Sequence, residues 1–456
     1  MDKKSIKVLV LSHSSELGGA ERSMLDLFDY WTKQGLVEPH FVIRQPIKNL
    51  AKELRNRGWP YNAIHYTNWS QRNPSIRAED IFRNASYNTK TIFAVEKLIK
   101  KIKPDIVMTN TIVSPWAALA AHFQMVPHVW FVREYGDIDH QHIFELGRKK
   151  MLQDIDTLSS LVVTNSKTLA QHVGEYIDKN KITTLYTPFN LEALERKSLQ
   201  PVKNPFKHKD SLKLVITGRI APSKGQSETA EAVGKLNNLG YDTELCVIGL
   251  PTESEDADTL QQAIEKHGIE DKVHLIGQKS NPLAILAKAD VGIMASHQEA
   301  FGRVTFEYMA TSRPVVGANS GATPEMIEHG INGYLYEQES VKDLLEQLLH
   351  YARDRNLAKR HGYAAKRKAE KMMRGLYNAD ALFDKILAIT SEKNKNIHPL
   401  NFSHRWLEYP GIAQKYIKDS EVISIKRLLY LRLRHRARII VLWMLGFSDK
   451  NRGPVR

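Results

Sequence analysis

Short apolar runs recur along this chain, and each is followed by a segment whose apolar residues return every three or four positions. In the first half the runs fall at residues 6–11, 40–44, 105–109, 128–133 and 161–165. In the second half they begin at Leu212 and return at 243–248, 273–276, 290–296 and 314–317. Continuous apolar runs of this length predict strands buried on both faces. The segments between them read as helices: Met24, Leu27, Phe28 and Trp31 share one helical face, and 91–102 and 115–122 are likewise amphipathic. Strands alternating with helices predict parallel βαβ units, an α/β architecture with helices on both sides of each sheet. Residues 66–88 are polar with weak periodicity and are expected to form a mobile loop over the acceptor. Residues 196–211 are rich in proline and lysine without periodicity, the signature of a linker. The chain therefore divides into a first domain at 1–195, the linker, and a second domain at 212–371, with residues 372–390 and 391–456 following.

At 456 residues the chain exceeds what one core serves, which agrees with two domains plus extensions. Hydrophobic content of 42% and charged content of 25% belong to the ordinary soluble globular class. The formal net charge of +14 favours acidic partners: nucleotide phosphates, anionic lipid head groups or nucleic acid. Cys246 is the single cysteine, so no internal disulfide forms and a reducing compartment is expected. The apolar run after Lys3 and Lys4 is short and broken by Lys7, which reads as a first strand and not a signal peptide. No apolar stretch approaches the roughly twenty residues that a spanning helix needs. The expected location is cytoplasmic, with peripheral attachment to the inner face of the cell membrane.

Candidate chemistry gathers where strands give way to helices. After the first strand comes Gly18-Gly19-Ala20-Glu21, a glycine loop opening a helix and able to cradle an oxyanion. The G-x-G-x-x-G dinucleotide spacing is absent. The strand at 128–133 ends in Arg133-Glu134-Tyr135, where open α/β sheets collect ligands; a surface ion pair and a catalytic pair are both open readings. The strand from Leu212 ends in Gly218-Arg219, with Lys224-Gly225 opening the next helix. A planar guanidinium and a mobile ammonium together suit a diphosphate. The strand at 290–296 leads into His297-Gln-Glu299-Ala-Phe301-Gly302-Arg303-Val304-Thr-Phe-Glu307. Gly302 marks a helix start whose unpaired amides, near Arg303 and Val304, suit a phosphate. Glu299 before that helix and Glu307 inside it could hold sugar hydroxyls on either side of a diphosphate. Gly321-Ala-Thr-Pro-Glu325 follows the last long strand; Gly321 is expected to let the ligand approach backbone, and Glu325 to cap or pair locally. Asp137-Ile-Asp139 has metal-motif spacing but lies in a loop without supporting ligands.

In order and spacing these elements resemble the retaining GT-B glycosyltransferases of family 4. The resemblance rests on Gly-Gly-Ala-Glu in the first loop, Gly-Arg and Lys-Gly flanking residues 218–225, and Glu299 with Glu307. The closing signature at 321–335 adds to it, and the whole covers roughly residues 5–390. Ala300 replaces the family's proline, Arg303 an apolar residue and Tyr308 an alanine. Where the family often places a histidine against the donor sugar, this chain offers Arg133, Glu134 and later His140. The resemblance implies two Rossmann-like domains facing across a cleft, with residues 372–390 crossing back to the first. It implies transfer from a nucleoside diphosphate sugar to a glycan or lipid-linked glycan, as in bacterial surface polysaccharide synthesis, with no metal or cofactor. Glu299, Arg219, Lys224, Arg133 and Glu134 would be catalytic. Gly18, Gly19, Gly218, Phe301, Gly302, Arg303, Val304, Glu307 and Gly321 would hold the donor. Two rivals stay open: a nucleotide-sugar 2-epimerase on the same fold, and a nucleic-acid-binding protein supported by net charge alone.

Residues 391–456 lie outside the resemblance. Lys426, Arg427, Arg432, Arg434, Arg436 and Arg438 precede an apolar run ending near Trp443. Cations beside apolar and Trp residues suit an anionic membrane surface, at about 1 kcal/mol each near the head groups. The alternative is a segment that packs on the protein or on a second subunit.

Overall fold

The computed structural model describes residues 5–71, 78–144, 147–251, 254–375 and 379–391. Fifteen strands run in chain order among them. In the first domain these are β1 (Ile6–Ser12), β2 (Val37–Arg44), β3 (Tyr61–Ile64), β4 (Ser70–Gln71), β5 (Ile106–Asn110), β6 (His128–Val132), β7 (Ile143–Phe144), β8 (Leu161–Thr164) and β9 (Ile182–Thr184). In the second they are β10 (Leu212–Thr217), β11 (Thr243–Ile248), β12 (Val273–Leu275), β13 (Val291–Met294), β14 (Val315–Ala318) and β15 (Gly333–Tyr336). The first sheet has the order β3-β2-β1-β5-β6-β8-β9 and the second β12-β11-β10-β13-β14-β15. All pairings within both are parallel, whereas β4 and β7 form a separate antiparallel pair. These are two Rossmann-like domains, as expected.

The apolar runs form strands because alternate side chains are buried in opposite layers. Val8 and Val10 join Met24, Phe28 and Trp31 on one face, while Leu9 and Leu11 join Trp116 and Trp130 on the other. In the second sheet Leu214 and Ile216 pack with Val233 and Leu236, and Val215 packs with Phe306 and Met309. Burying each of these large side chains stabilises the fold by roughly 1.5–3 kcal/mol. The helix Ala379–Ser391 returns to the first domain, where Leu382, Phe383 and Ile386 enter the Trp31 layer. The Trp31 indole N–H donates to the Ala379 carbonyl at 3.1 Å, fixing the approach.

Two expectations change. The stretch at 66–88 is not simply a loop: a helix runs Ala78–Ile102, and Tyr66 and Trp69 are buried before it. Trp69 stacks on Trp130 at 5.7 Å and donates to the Ile112 carbonyl at 2.8 Å. The polar residues that look like loop are spent on local bonds, with Asn88 accepting from the Thr67 N–H and Thr91 donating to the His65 carbonyl. The linker is likewise tied down. The buried Glu244 carboxylate on β11 accepts from the Lys207 and His208 N–H groups, the Ser211 hydroxyl and His274. Burial alone would raise its pKa; those donors hold it at about 2. Among the described residues no helix is long and apolar enough to cross a membrane. The segment 422–447 lies outside the described residues.

Candidate functional site

The carboxyl ends of the two sheets face one another, and a cavity of about 310 Å³ lies between them. Its second-domain wall is the turn from β13 into the helix Arg303–Ala310. Gly302 caps that helix at φ 78°, a left-handed conformation that glycine adopts without strain. The amides of Arg303 and Val304 therefore open a helix whose positive end points at the cavity. Phe301 is buried just before it, against Phe189 and Tyr186. Gly321, in contrast, does not line the cavity. A Cβ there would come within 2.4 Å of the Glu299 carbonyl, so the glycine is required by the close approach of the Glu299 backbone. The Ala322 N–H donates to that carbonyl at 2.8 Å, fixing the carboxylate's base.

Glu299 and Lys224 meet within the cavity, Nζ to Oε1 at 2.5 Å. Burial would raise the Glu299 pKa, but the Lys224 charge and hydrogen bond bring it below the ordinary carboxylate value. Lys224 ends a short 3-10 turn, Pro222–Lys224, ahead of the helix Gln226–Asn238. Gly218 lines the cavity beside it. The Arg219 side chain is exposed and outside the cavity lining, although its charge reaches His140. Glu307 is half-buried one turn inside its helix and also outside the lining. Burial raises its pKa, against the lowering charges of Arg303, Arg22 and Lys197.

The first-domain wall brings Gly19, Arg133, Glu134, Asp139 and His140 to the cavity. Gly18 opens the helix Gly19–Lys33, and Glu21 folds back to accept from the Gly18 N–H at 3.2 Å and the Ser12 hydroxyl at 3.1 Å. His13 lies 3.1 Å from the same carboxylate. Glu21 thus fixes the glycine loop. Glu134 is buried and accepts from the Ile112 N–H at 2.7 Å; burial pushes its pKa to about 7 against the lowering charge of His13. Arg133 donates to Asn110 at 2.5 Å, and burial lowers its pKa to about 10. Asp139 accepts from the Tyr135 and Gly136 N–H groups, and Asp137 pairs with Arg148 at 3.1 Å. Both carboxylates of the Asp-x-Asp spacing are thereby engaged.

Several contacts across the cleft have no signal in residue spacing. Arg303 donates to the Ser23 hydroxyl at 2.8 Å and lies 3.8 Å from Asp26, its guanidinium 4.4 Å from the Phe189 ring centroid. Glu325 caps, as expected, but not locally. It accepts from the Lys167 and Thr168 N–H groups at the start of the first-domain helix Lys167–Val173, and from the Tyr186 hydroxyl. His140, which the sequence offers with Arg133 and Glu134 for the family's donor-facing histidine, stands in the cavity with a buried Nδ1 that lacks a partner among the described residues. Burial lowers its pKa, and the charges of Asp139, Lys224, Glu299 and Arg219 all reach it.

Comparison with known proteins agrees with this fold. The glycosyl transferases group 1 model matches residues 173–368, and the glycosyltransferase family 4 model matches residues 17–193. The chain belongs to the GT-B glycosyltransferases of the family 4 type. It is 27% identical over 210 residues to the N-acetyl-alpha-D-glucosaminyl L-malate synthase of Bacillus anthracis, covering 46% of this chain and 54% of that one. It is 27% identical over 164 residues to the capsular polysaccharide biosynthesis glycosyltransferase CapM of Staphylococcus aureus, covering 35% and 42%. The matches thus span about half the length of these curated relatives. Anabaena HepE, solved with UDP and also with UDP-glucose, shares the fold. Its UDP complex superposes with a TM-score of 0.66 at 18% identity, over 85% of this chain and all of that one.

Proposed function

We propose that this chain moves a sugar from a nucleoside diphosphate sugar to an acceptor hydroxyl, with retention of anomeric configuration and without a metal. The observation that carries this reading is the cleft cavity, in which Lys224, Glu299 and the helix opened at Gly302 face His140 and Glu134. When the bond from the anomeric carbon to the diphosphate breaks, negative charge grows on the leaving phosphate. Lys224, Arg219 and the amides near Gly302 supply positive charge there, the role a metal plays elsewhere. Binding of the diphosphate draws Lys224 from Glu299 and frees that carboxylate to accept sugar hydroxyls. Glu307, deeper in the helix, takes the ribose hydroxyls.

On the acceptor side Asp139 is occupied by two backbone N–H groups, whereas Glu134 titrates near neutrality and can take the hydroxyl proton. UDP in HepE makes uridine nucleotides the first donors to test, and the name of CapM supports a polysaccharide or lipid-linked glycan acceptor. For the tail, the six cations before the apolar run at 439–447 support attachment to an anionic membrane surface. Flotation of the whole chain with anionic vesicles at low salt, lost at high salt, is the expected result; no flotation would remove the attachment from the reading.

A thermal-shift screen against UDP-, GDP-, ADP- and dTDP-sugars tests the donor, because a ligand that binds only the native state raises its stability. Full turnover of the selected donor in EDTA, with an NMR assignment of a retained linkage, is the expected outcome. An inverted product would overturn the retaining reading.

A further inference from the structure

Three adjacent strands of the first sheet lead into basic side chains at their carboxyl ends. His13 follows β1, Arg44 ends β2, and His65 follows β3. The parallel register pairs Leu11 with Val42 and Arg44 with Ile64, so His13 and Arg44 fall level and His65 lies one residue beyond. The Arg44 charge reaches both histidines: at His65 it adds to the burial that lowers the pKa, and at His13 it works with burial against the net rise that Glu21 causes. Arg44 is half-buried, and its guanidinium makes no hydrogen bond or ion pair among the described residues.

The nearby carboxylates are committed elsewhere. Glu21 serves Ser12, Gly18 and His13, and Glu16 pairs with Lys48. Glu134 accepts from the Ile112 N–H. A half-buried guanidinium without a counter-ion loses hydration and recovers nothing from the protein, so a bound anion would complete it. The cluster sits beyond the carboxyl ends of parallel strands, where open α/β sheets bind ligands. It adjoins the cavity through Glu134, which lines the cavity and whose charge also reaches His13.

We propose that Arg44, flanked by His65 and His13, holds the negatively charged group of the acceptor, a phosphate or a carboxylate set close to the reacting hydroxyl. The glycan or lipid-linked acceptor then carries an anionic group beside its reacting hydroxyl. This inference rests on the transfer reading above. The guanidinium fork matches either anion through two parallel N–H donors, and the histidines add donors on each side.

The test uses the full chain saturated with the nucleoside diphosphate that the stability screen selects. Three probes on one carbon skeleton are titrated by ligand-observed NMR: glycerol 3-phosphate, glycerate and glycerol. At least one charged probe should bind where glycerol does not, and the better of the two names the anion. Arg44→Ala should weaken that probe roughly tenfold or more, as loss of a charge-assisted contact does. Arg44→Lys should retain part of the affinity, His65→Ala should weaken the probe less, and nucleotide affinity should be unchanged in all three. Equal binding of glycerol, failure of both charged probes, or an unchanged probe affinity in a folded Arg44→Ala variant would overturn the proposal. Failure of every nucleoside diphosphate to bind the wild-type chain would instead overturn the transfer reading beneath it, and the acceptor subsite with it.

Discussion

Arg303 and Ser23 are 280 residues apart in the chain and bonded across the cleft, guanidinium to hydroxyl. The contact joins the helix that opens at Gly302 to the helix that opens at Gly19, the two elements best placed to approach a diphosphate. Arg303 is also held against Phe189 and near Asp26, so this one side chain ties the cleft through several partners, beside the separate bridge from Glu325 to Thr168. Arg303→Ala should therefore widen the cleft and raise the donor KM by roughly tenfold, the worth of one charge-assisted contact. Ser23→Ala should do less, because Asp26 and Phe189 remain. Small-angle scattering and donor kinetics check this together. Unchanged dimensions and an unchanged KM in Arg303→Ala would mean that the contact does not govern closure.

Lys224 and Arg219 differ in exposure, and that difference separates their phenotypes. Either replacement by Ala should lower turnover on the order of 10²-fold, as for other preorganised charge stabilisers. Lys224→Ala also strands the Glu299 carboxylate, whose side chain is 21% exposed, and should cost about 1–3 kcal/mol of stability. Arg219→Ala should leave the melting temperature unchanged, because its side chain is exposed. The double variant Lys224→Ala with Glu299→Gln should recover stability without activity. Thermal melts beside steady-state rates settle the comparison, and normal turnover in both single variants would remove the pair from the donor site.

Glu134 titrates near pH 7 in the folded chain, well above its ordinary value, so the native state holds a proton that the unfolded chain has already released. Stability then falls as pH rises through the window between the ordinary carboxylate range and about 7. At and above neutrality the penalty is at most about 3 kcal/mol. Glu134→Gln keeps an acceptor for the Ile112 N–H and removes the titration. Its stability relative to wild type should therefore rise across that pH window and level off above it. Denaturant midpoints at a series of pH values measure this, and parallel curves would contradict the burial of a titrating carboxyl.

Much of the architecture can be read from the sequence because parallel strands buried on both faces need continuous apolar runs. Residues 245–248 are such a run and form the end of β11. What escapes is short or non-local. The strands β4 and β7 have two residues each, too few to carry a period. The helix from Ala78 is disguised by polar residues that bond to the connection between β3 and β4, as Asn88 does to Thr67. At the site, Glu299 and Lys224 meet directly, a pairing that the sequence, which sets one against sugar hydroxyls and the other against a diphosphate, does not announce. Arg303 to Ser23 and Glu325 to Thr168 are not foreseeable, because spacing within one domain carries no record of which surface of the other it faces.

Glu299 and Glu307 occupy different depths, and that predicts different losses. Glu299 lines the cavity and is kept ionised by Lys224, so it is poised for sugar hydroxyls once a diphosphate draws the lysine away. Glu307 lies one turn inside the helix, outside the cavity lining, where burial raises its pKa despite Arg303. Glu307→Gln should weaken binding of the free nucleoside diphosphate by roughly tenfold, because a charged acceptor for ribose hydroxyls is lost. Glu299→Gln should leave that binding intact and abolish transfer. The wild-type affinity should also fall as pH drops through the Glu307 titration, and the Gln variant should lose this dependence. Calorimetry across a pH series with both variants reads all three effects, and the opposite pattern would show that the two glutamates exchange roles.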